Sequence, residues 1–159
     1  MEHDKKISFT PDSAPQGGVS GWVSITQAMI DQFGAITLDP DPLHVDPVWA
    51  RQHSPFGGTI AFGFLTISLL THMVHSALGS STVRSGTDWV YVNYGFDRLR
   101  LVAPVPSGSR IRSHFSELAR EQDEKGRWRI TFDCRVEIEG HERPALAGHW
   151  LSLCLPPNG

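Results

Sequence analysis

The sequence predicts an α+β protein, and three features carry that expectation. Apolar residues recur at helical spacing in the first half, they alternate or are β-branched and aromatic in the second, and a long run with hardly any polar face, Gly63 to Leu78, divides the two. Helices early and strands late describe a curved, mostly antiparallel sheet with one long helix against its face.

Taken in order, residues 1–18 are polar and rich in Pro, Gly and Ser, which predicts a flexible arm or a short edge strand ahead of a single domain over residues 19–156. Ile25, Met29, Ile30 and Phe33 share one helical face, so a helix capped by Ser24 or Thr26 should run to about Thr37. Asp39 to Pro47 holds three prolines and three aspartates, a composition expected to exclude helix and favour turns. Asp46 followed by Pro47 is a cap with proline at the first helical position, so a short helix should cover Pro47 to Gln52.

Ser54 to Gly63 carries three glycines, whose missing side chains let a backbone or a ligand come close. The run from Gly63 to Leu78 then reads as a helix buried on all sides, ended by Gly79. Strands are expected over Trp89 to Phe96, Ser109 to Glu117, Arg127 to Ile138 and Ala145 to Leu155, separated by PVPSG, QDEKG and EGHERP, which read as hairpin-type connections. No internal repeat or low-complexity segment is evident.

Composition narrows the function. A chain of 159 residues can bury roughly 70% of its unfolded surface, so neither disulfides nor metals are needed for a core. A net charge of −3 without a basic block argues against nucleic acid, and no apolar run is long enough to span a bilayer. The N-terminus lacks a secretory core, so a cytoplasmic protein is expected. Cys134 and Cys154 are expected to be buried free thiols.

Candidate chemistry concentrates between Asp39 and Gly63. On a non-helical loop, the Asp39 carboxylate and the His44 imidazole can converge on one water and exchange protons with it. The structural alternative has Asp39 capping a turn and His44 satisfying a buried carbonyl. Asp41 lies nearer His44 in sequence and could take the place of Asp39, whereas Asp46 is assigned to capping. If Gly63 opens the long helix, its N–H sits at the positive end of the helix dipole, suited to a developing oxyanion; the alternative is tight packing of the glycines. Ser68 and Thr71 follow on the same helix and either bond back to it or touch an acyl group. His72 and His75 are three apart but have no third ligand, so no metal is expected.

DPDPLHVDP, then SPFGGTIAFGFLTISLL, then VNYGFDRLRLVAPVPSGSRIR together resemble the MaoC-like dehydratases, in particular the branch of nodulation protein N and the (R)-specific enoyl-CoA hydratases. The similarity covers about Gly21 to Leu155. It implies a hot-dog fold, an antiparallel sheet wrapped around a long central helix, and a homodimer or dimer of dimers whose sheets join. It implies an acyl-CoA thioester substrate, with coenzyme A entering as part of the substrate and no other cofactor. Carried over residue by residue, Asp39 and His44 correspond to the family's acid-base pair, Gly63 to the glycine that polarises the thioester carbonyl, and Thr71 or Ser68 to a small hydroxyl residue, with Asp41 a further substrate contact. The chain departs from the usual pattern in having Leu38 for Gly, Asp41 for an amide and Phe62 for His. The implied reaction is (R)-specific hydration of a trans-2-enoyl thioester or its reverse; a hot-dog thioesterase and a non-catalytic acyl-thioester binding protein are the alternatives.

Overall fold

A computed structural model describes residues 16–79 and 89–156. The expected arm over residues 1–18 therefore lies outside the described residues up to residue 15, and its end forms the edge strand β1, Gly17–Val19. After β2, Val23–Ser24, comes α1, Gln27–Thr37, capped by Thr26, whose Oγ1 accepts from the Met29 N–H at 3.2 Å. Ile30, the centre of its apolar face, is fully buried.

The aspartate- and proline-rich stretch differs from the expectation of turns alone. It holds a one-turn helix, α2, Pro42–Val45, before α3, Pro47–His53. Both begin with an Asp-Pro pair: Asp41 accepts from the Leu43 N–H at 2.9 Å, and Asp46 accepts from Val48 and Trp49 at 3.0 and 2.9 Å. Proline is harmless at these first positions because the missing N–H has no intrahelical acceptor there.

The long helix α4, Gly63–Leu78, has the expected bounds, and Leu65, Thr66, Leu70 and Met73 are its buried residues. It packs on β1 and on β4, Arg110–Gln122. A Cβ on Gly18 would lie 2.5 Å from the Ala77 carbonyl oxygen, so strand and helix approach through a residue without a side chain. Contrary to the sequence reading, α4 is not buried all round: Phe64 is 74% exposed, and Ser68, Thr71 and His72 also face outward. One chain supplies a single sheet, which covers one side of the helix.

The sheet adds β3, Val90–Leu101, β5, Trp128–Ile138, and β6, Leu146–Leu155, in the order β1-β4-β5-β6-β3, with β2 also on β4 and every pairing antiparallel. Two of the three expected hairpins exist, β4 to β5 and β5 to β6. The PVPSG connection is not one of them, because β3 pairs with β6 and the chain must cross to reach β4. Its backbone bonds go to other segments: Ala61 N–H to the Val105 carbonyl at 2.8 Å, Ser107 N–H to Thr59 at 3.0 Å and Gly108 N–H to Ile25 at 2.7 Å. The stretch thereby becomes a wall beside the start of α4.

Alternation fills the core from one face of each strand: Ile111, Ser113 and Phe115; Ile130, Phe132, Cys134, Val136 and Ile138; Leu146, Trp150 and Cys154. Burying a side chain of this size stabilises by about 1.5–3 kcal/mol each, so the inner face of the sheet and α4 form the stable frame on which the Asp39–Gly63 segment is mounted. Both cysteines are buried and unpaired, and burial pushes the Cys134 thiol up to about 12, which keeps it protonated and unreactive. Among the described residues no helix is long and apolar enough to cross a membrane.

Candidate active site

The start of α4 is the fixed point of the site. Phe62 stands at its cap position without a side-chain hydrogen bond, so the first amides are left to backbone groups or to a ligand. Among the described residues nothing accepts from the Gly63 N–H. A Cβ on Gly63 would run into Leu101 Cδ1 from the end of β3. Close packing and a free amide, offered by the sequence as alternatives, therefore coexist at this residue.

His44 comes to the same place from α2. Its Nδ1 lies 2.7 Å from the Ile60 carbonyl oxygen. A carbonyl can only accept, so Nδ1 carries the proton and the neutral ring keeps Nε2 as an acceptor. The ring also packs on Phe62, with centroids 4.0 Å apart, and Phe62 in turn meets Phe33 at 5.3 Å. His44 and Gly63 line one hollow of about 240 Å³, walled by Leu101 to Val105, Ala145 and the side of α4 at Thr66. Apart from His44 and Thr66 its lining side chains are apolar. An apolar wall with few polar groups at one end suits the acyl part of a ligand.

Asp39 is placed differently. Leu38 ends α1 in the left-handed region, at φ 58° and ψ 32°, and turns the chain so that Asp39 is exposed. Gly34 makes room for the turn: a Cβ there would lie 2.9 Å from the Asp39 carbonyl oxygen and 3.1 Å from both Phe62 and Val45. The Asp39 carboxylate accepts from the Asp41 N–H at 3.2 Å and lines a separate open hollow with Asp31, Gly34, Ala35, Leu38, Pro40 and Val45. Within one chain, then, His44 and Gly63 are brought together and Asp39 is not brought into their hollow.

The other candidates are equally specific in position. Asp41 is engaged in capping α2 and lines neither of these hollows. Ser68 donates back to the Phe64 carbonyl at 2.8 Å, and Thr71 is exposed on the same uncovered side of α4. Thr66, which sequence reasoning passed over, is only 3% exposed and lines the His44–Gly63 hollow; its spacing of three from Gly63 was the available signal. Among the described residues no group of three or more His, Cys, Asp or Glu side chains is placed to hold a metal ion.

The site and sheet together define a class, the hot-dog fold with a polar loop ahead of its central helix. The chain belongs to the MaoC like domain family, whose pattern matches residues 12–136. It is 40% identical over 154 residues to nodulation protein N of Rhizobium leguminosarum bv. viciae, covering 95% of this chain and 92% of that one. It is 39% identical over 128 residues to 3-hydroxyacyl-thioester dehydratase Z of Mycobacterium tuberculosis, covering 80% and 81%. Among solved structures, a monoamine oxidase regulatory protein from Archaeoglobus superposes with a TM-score of 0.74 at 25% identity, over 94% and 97% of the two chains. The (R)-hydratase of A. caviae does so with a TM-score of 0.67 at 24% identity, over 91% and 98%, a likeness of fold.

Proposed function

We propose that this protein is a hydro-lyase that interconverts a trans-2-enoyl thioester and a (3R)-3-hydroxyacyl thioester, most simply the coenzyme A ester. The observation that carries the reading is the shared hollow: a histidine with Nδ1 tied off and Nε2 left to accept stands beside an unpaired helix-start amide. The dehydratase relative supports the reaction class.

In the hydration direction, a water held by His44 attacks C3 as Nε2 takes its proton. The C3–O bond forms, the C2–C3 π electrons move into the thioester, and the resulting enolate oxygen is met by the Gly63 N–H. Collapse of the enolate returns one proton to C2. Asp39 is assigned to the same water, with its carboxylate brought to the reactants on substrate binding or assembly. General acid-base catalysis supplies about 10²–10⁴ in rate, and an oxyanion donor roughly 10²–10³ by comparison with a measured case.

A homodimer completes the reading. Along the edge strand β3, Val90 is 53%, Tyr94 62% and Leu101 52% exposed, and on the uncovered side of α4 Phe64 is 74% exposed. Edge strands of this length and character are ordinarily paired or covered. A cytoplasmic location is in keeping with a coenzyme A substrate and two buried free thiols.

The test is the loss of absorbance at the enoyl-thioester band with crotonyl-CoA and an octenoyl-CoA, alongside His44→Ala. Decay that depends on His44 is expected. Thiol release without that decay would instead indicate a thioesterase, and binding without turnover would favour a non-catalytic acyl-thioester binding protein, the reading that the separate placement of Asp39 supports.

A further inference from the structure

Gln27 opens α1 and has no part in the chemistry above, yet its amide is the most heavily used in the site region. Its Nε2 donates to the His44 carbonyl at 2.7 Å and to Asp31 Oδ1 at 2.8 Å, while its Oε1 accepts from Thr59 Oγ1 at 2.6 Å. These partners also fix the amide's orientation, since a carbonyl and a carboxylate accept and the hydroxyl donates. Thr59 is only 7% exposed and precedes Ile60, whose carbonyl holds His44 Nδ1. One side chain thus ties both backbone points that set the imidazole, the main chain of His44 itself and the loop segment that carries its ring acceptor.

The linkage extends to the hollow's wall. Thr59 accepts from the Ser107 N–H at 3.0 Å, and Ala61 donates to Val105 at 2.8 Å, so the 59–61 segment is also the strip to which the Leu101–Val105 wall is bonded. If the Gln27 amide is removed, Thr59 loses its acceptor and the His44 carbonyl loses a donor, and α2 and the glycine-rich loop keep between their main chains the long Ile60 N–H to Leu43 carbonyl bond of 3.4 Å, which lets them shift. The ring would then lose its fixed distance to the Ile60 carbonyl, the contact that selects the Nδ1–H tautomer.

We infer that Gln27, acting with Thr59, is the positioning residue for His44, holding the imidazole in the tautomer and place that the proposed hydration needs. This rests on that proposed function for its kinetic consequence but not for its structural one.

Gln27→Met keeps the length of the side chain and removes its hydrogen bonds; Thr59→Val removes a single hydroxyl, and Thr59→Ser restores it. With crotonyl-CoA, Gln27→Met should lower kcat by about 10- to 100-fold with KM within about threefold, the scale expected when a reacting group is misplaced by about 1 Å. Thr59→Val should fall in the same direction and Thr59→Ser should recover. Long-range ¹H–¹⁵N spectra, with the His44 signals identified by their loss in His44→Ala, should show the Nδ1–H form in the native protein and a mixture of tautomers in Gln27→Met and Thr59→Val. Unchanged kcat with an unchanged tautomer overturns the inference, as does a loss of activity in which His44 keeps the Nδ1–H form. If the native protein hydrates no enoyl thioester, the proposed function fails, while the tautomer comparison still decides the role of Gln27. Should Gln27→Met fail to fold, the Thr59 pair carries the test.

Discussion

Asp39 and His44 have four residues between them, yet they are held by different means. His44 is fixed from three sides by distant parts of the chain: its ring nitrogen by Ile60, its ring face by Phe62 and its carbonyl by Gln27. Asp39 is exposed, receives its side-chain hydrogen bond from the amide two residues on, and follows a leucine in a left-handed conformation. Long-range contacts fold with the core and so prebuild the His44–Gly63 half of the site. The Asp39 half is set by a local turn, which leaves its carboxylate on the surface of a single chain.

The largest expected effects test whether the two halves nevertheless act together. His44→Ala and Asp39→Asn should each lower kcat by at least about a hundredfold while circular dichroism stays native; melting should stay native in Asp39→Asn and fall in His44→Ala, which takes the donor from the Ile60 carbonyl and the ring from Phe62. Asp41→Asn is the control, because asparagine caps a helix as well as aspartate does and α2 should survive the change. If Asp41→Asn abolishes turnover and Asp39→Asn does not, the acid-base partner of His44 is Asp41, and the exposed position of Asp39 reflects a structural turn.

Much of this frame was legible in the sequence. The Thr26 cap, the Asp46–Pro47 start of α3, and the glycines bounding α4 stand where side-chain chemistry put them. The start of α2 carried the same Asp-Pro signature at Asp41–Pro42 and was overridden by the count of prolines around it. Strand β3 runs on to Leu101 past register shifts and a positive φ at Arg98, irregularities that hid its second half. The PVPSG crossover and the Gln27–Thr59 bond, which spans 32 positions, depend on which segments meet in space, and no local pattern encodes that. The separate placement of Asp39 comes instead from the local turn at Leu38, and Leu38, where the resembling family has glycine, marked the spot.

A smaller effect is expected at Gly63, where the comparison can be sharpened from the prebuilt side. Gly63→Ala would press a methyl group on Leu101 Cδ1, the mobile end of a half-exposed side chain, so the stability cost should be at the low end of the roughly 1–3 kcal/mol seen on overpacking. Activity should fall by at least about tenfold if the amide meets the enolate oxygen. Adding Leu101→Ala relieves the clash. Recovery of stability without recovery of kcat would show that the requirement at Gly63 is for an open approach to its amide; recovery of both would reduce it to packing.

The smallest effect concerns Leu38, and it bears on the loosely held half. A leucine in the left-handed region costs roughly 1–2 kcal/mol, and it is 87% exposed, so little burial offsets that cost. Glycine removes the strain at the expense of about 0.5–1 kcal/mol of unfolded-state entropy. Leu38→Gly should therefore stabilise by about 0.5–1 kcal/mol, read as a rise of roughly 1–4 °C in Tm. Its effect on turnover separates two ways of placing Asp39. If the left-handed turn alone aims the carboxylate, Leu38→Gly keeps native kcat, because glycine adopts that turn freely. If the leucine side chain, which lines the same hollow as Asp39, limits the motion of the loop, the variant is more stable and less active. Loss of stability in Leu38→Gly would contradict the strain itself and would mean that the turn is held by contacts of the leucine side chain.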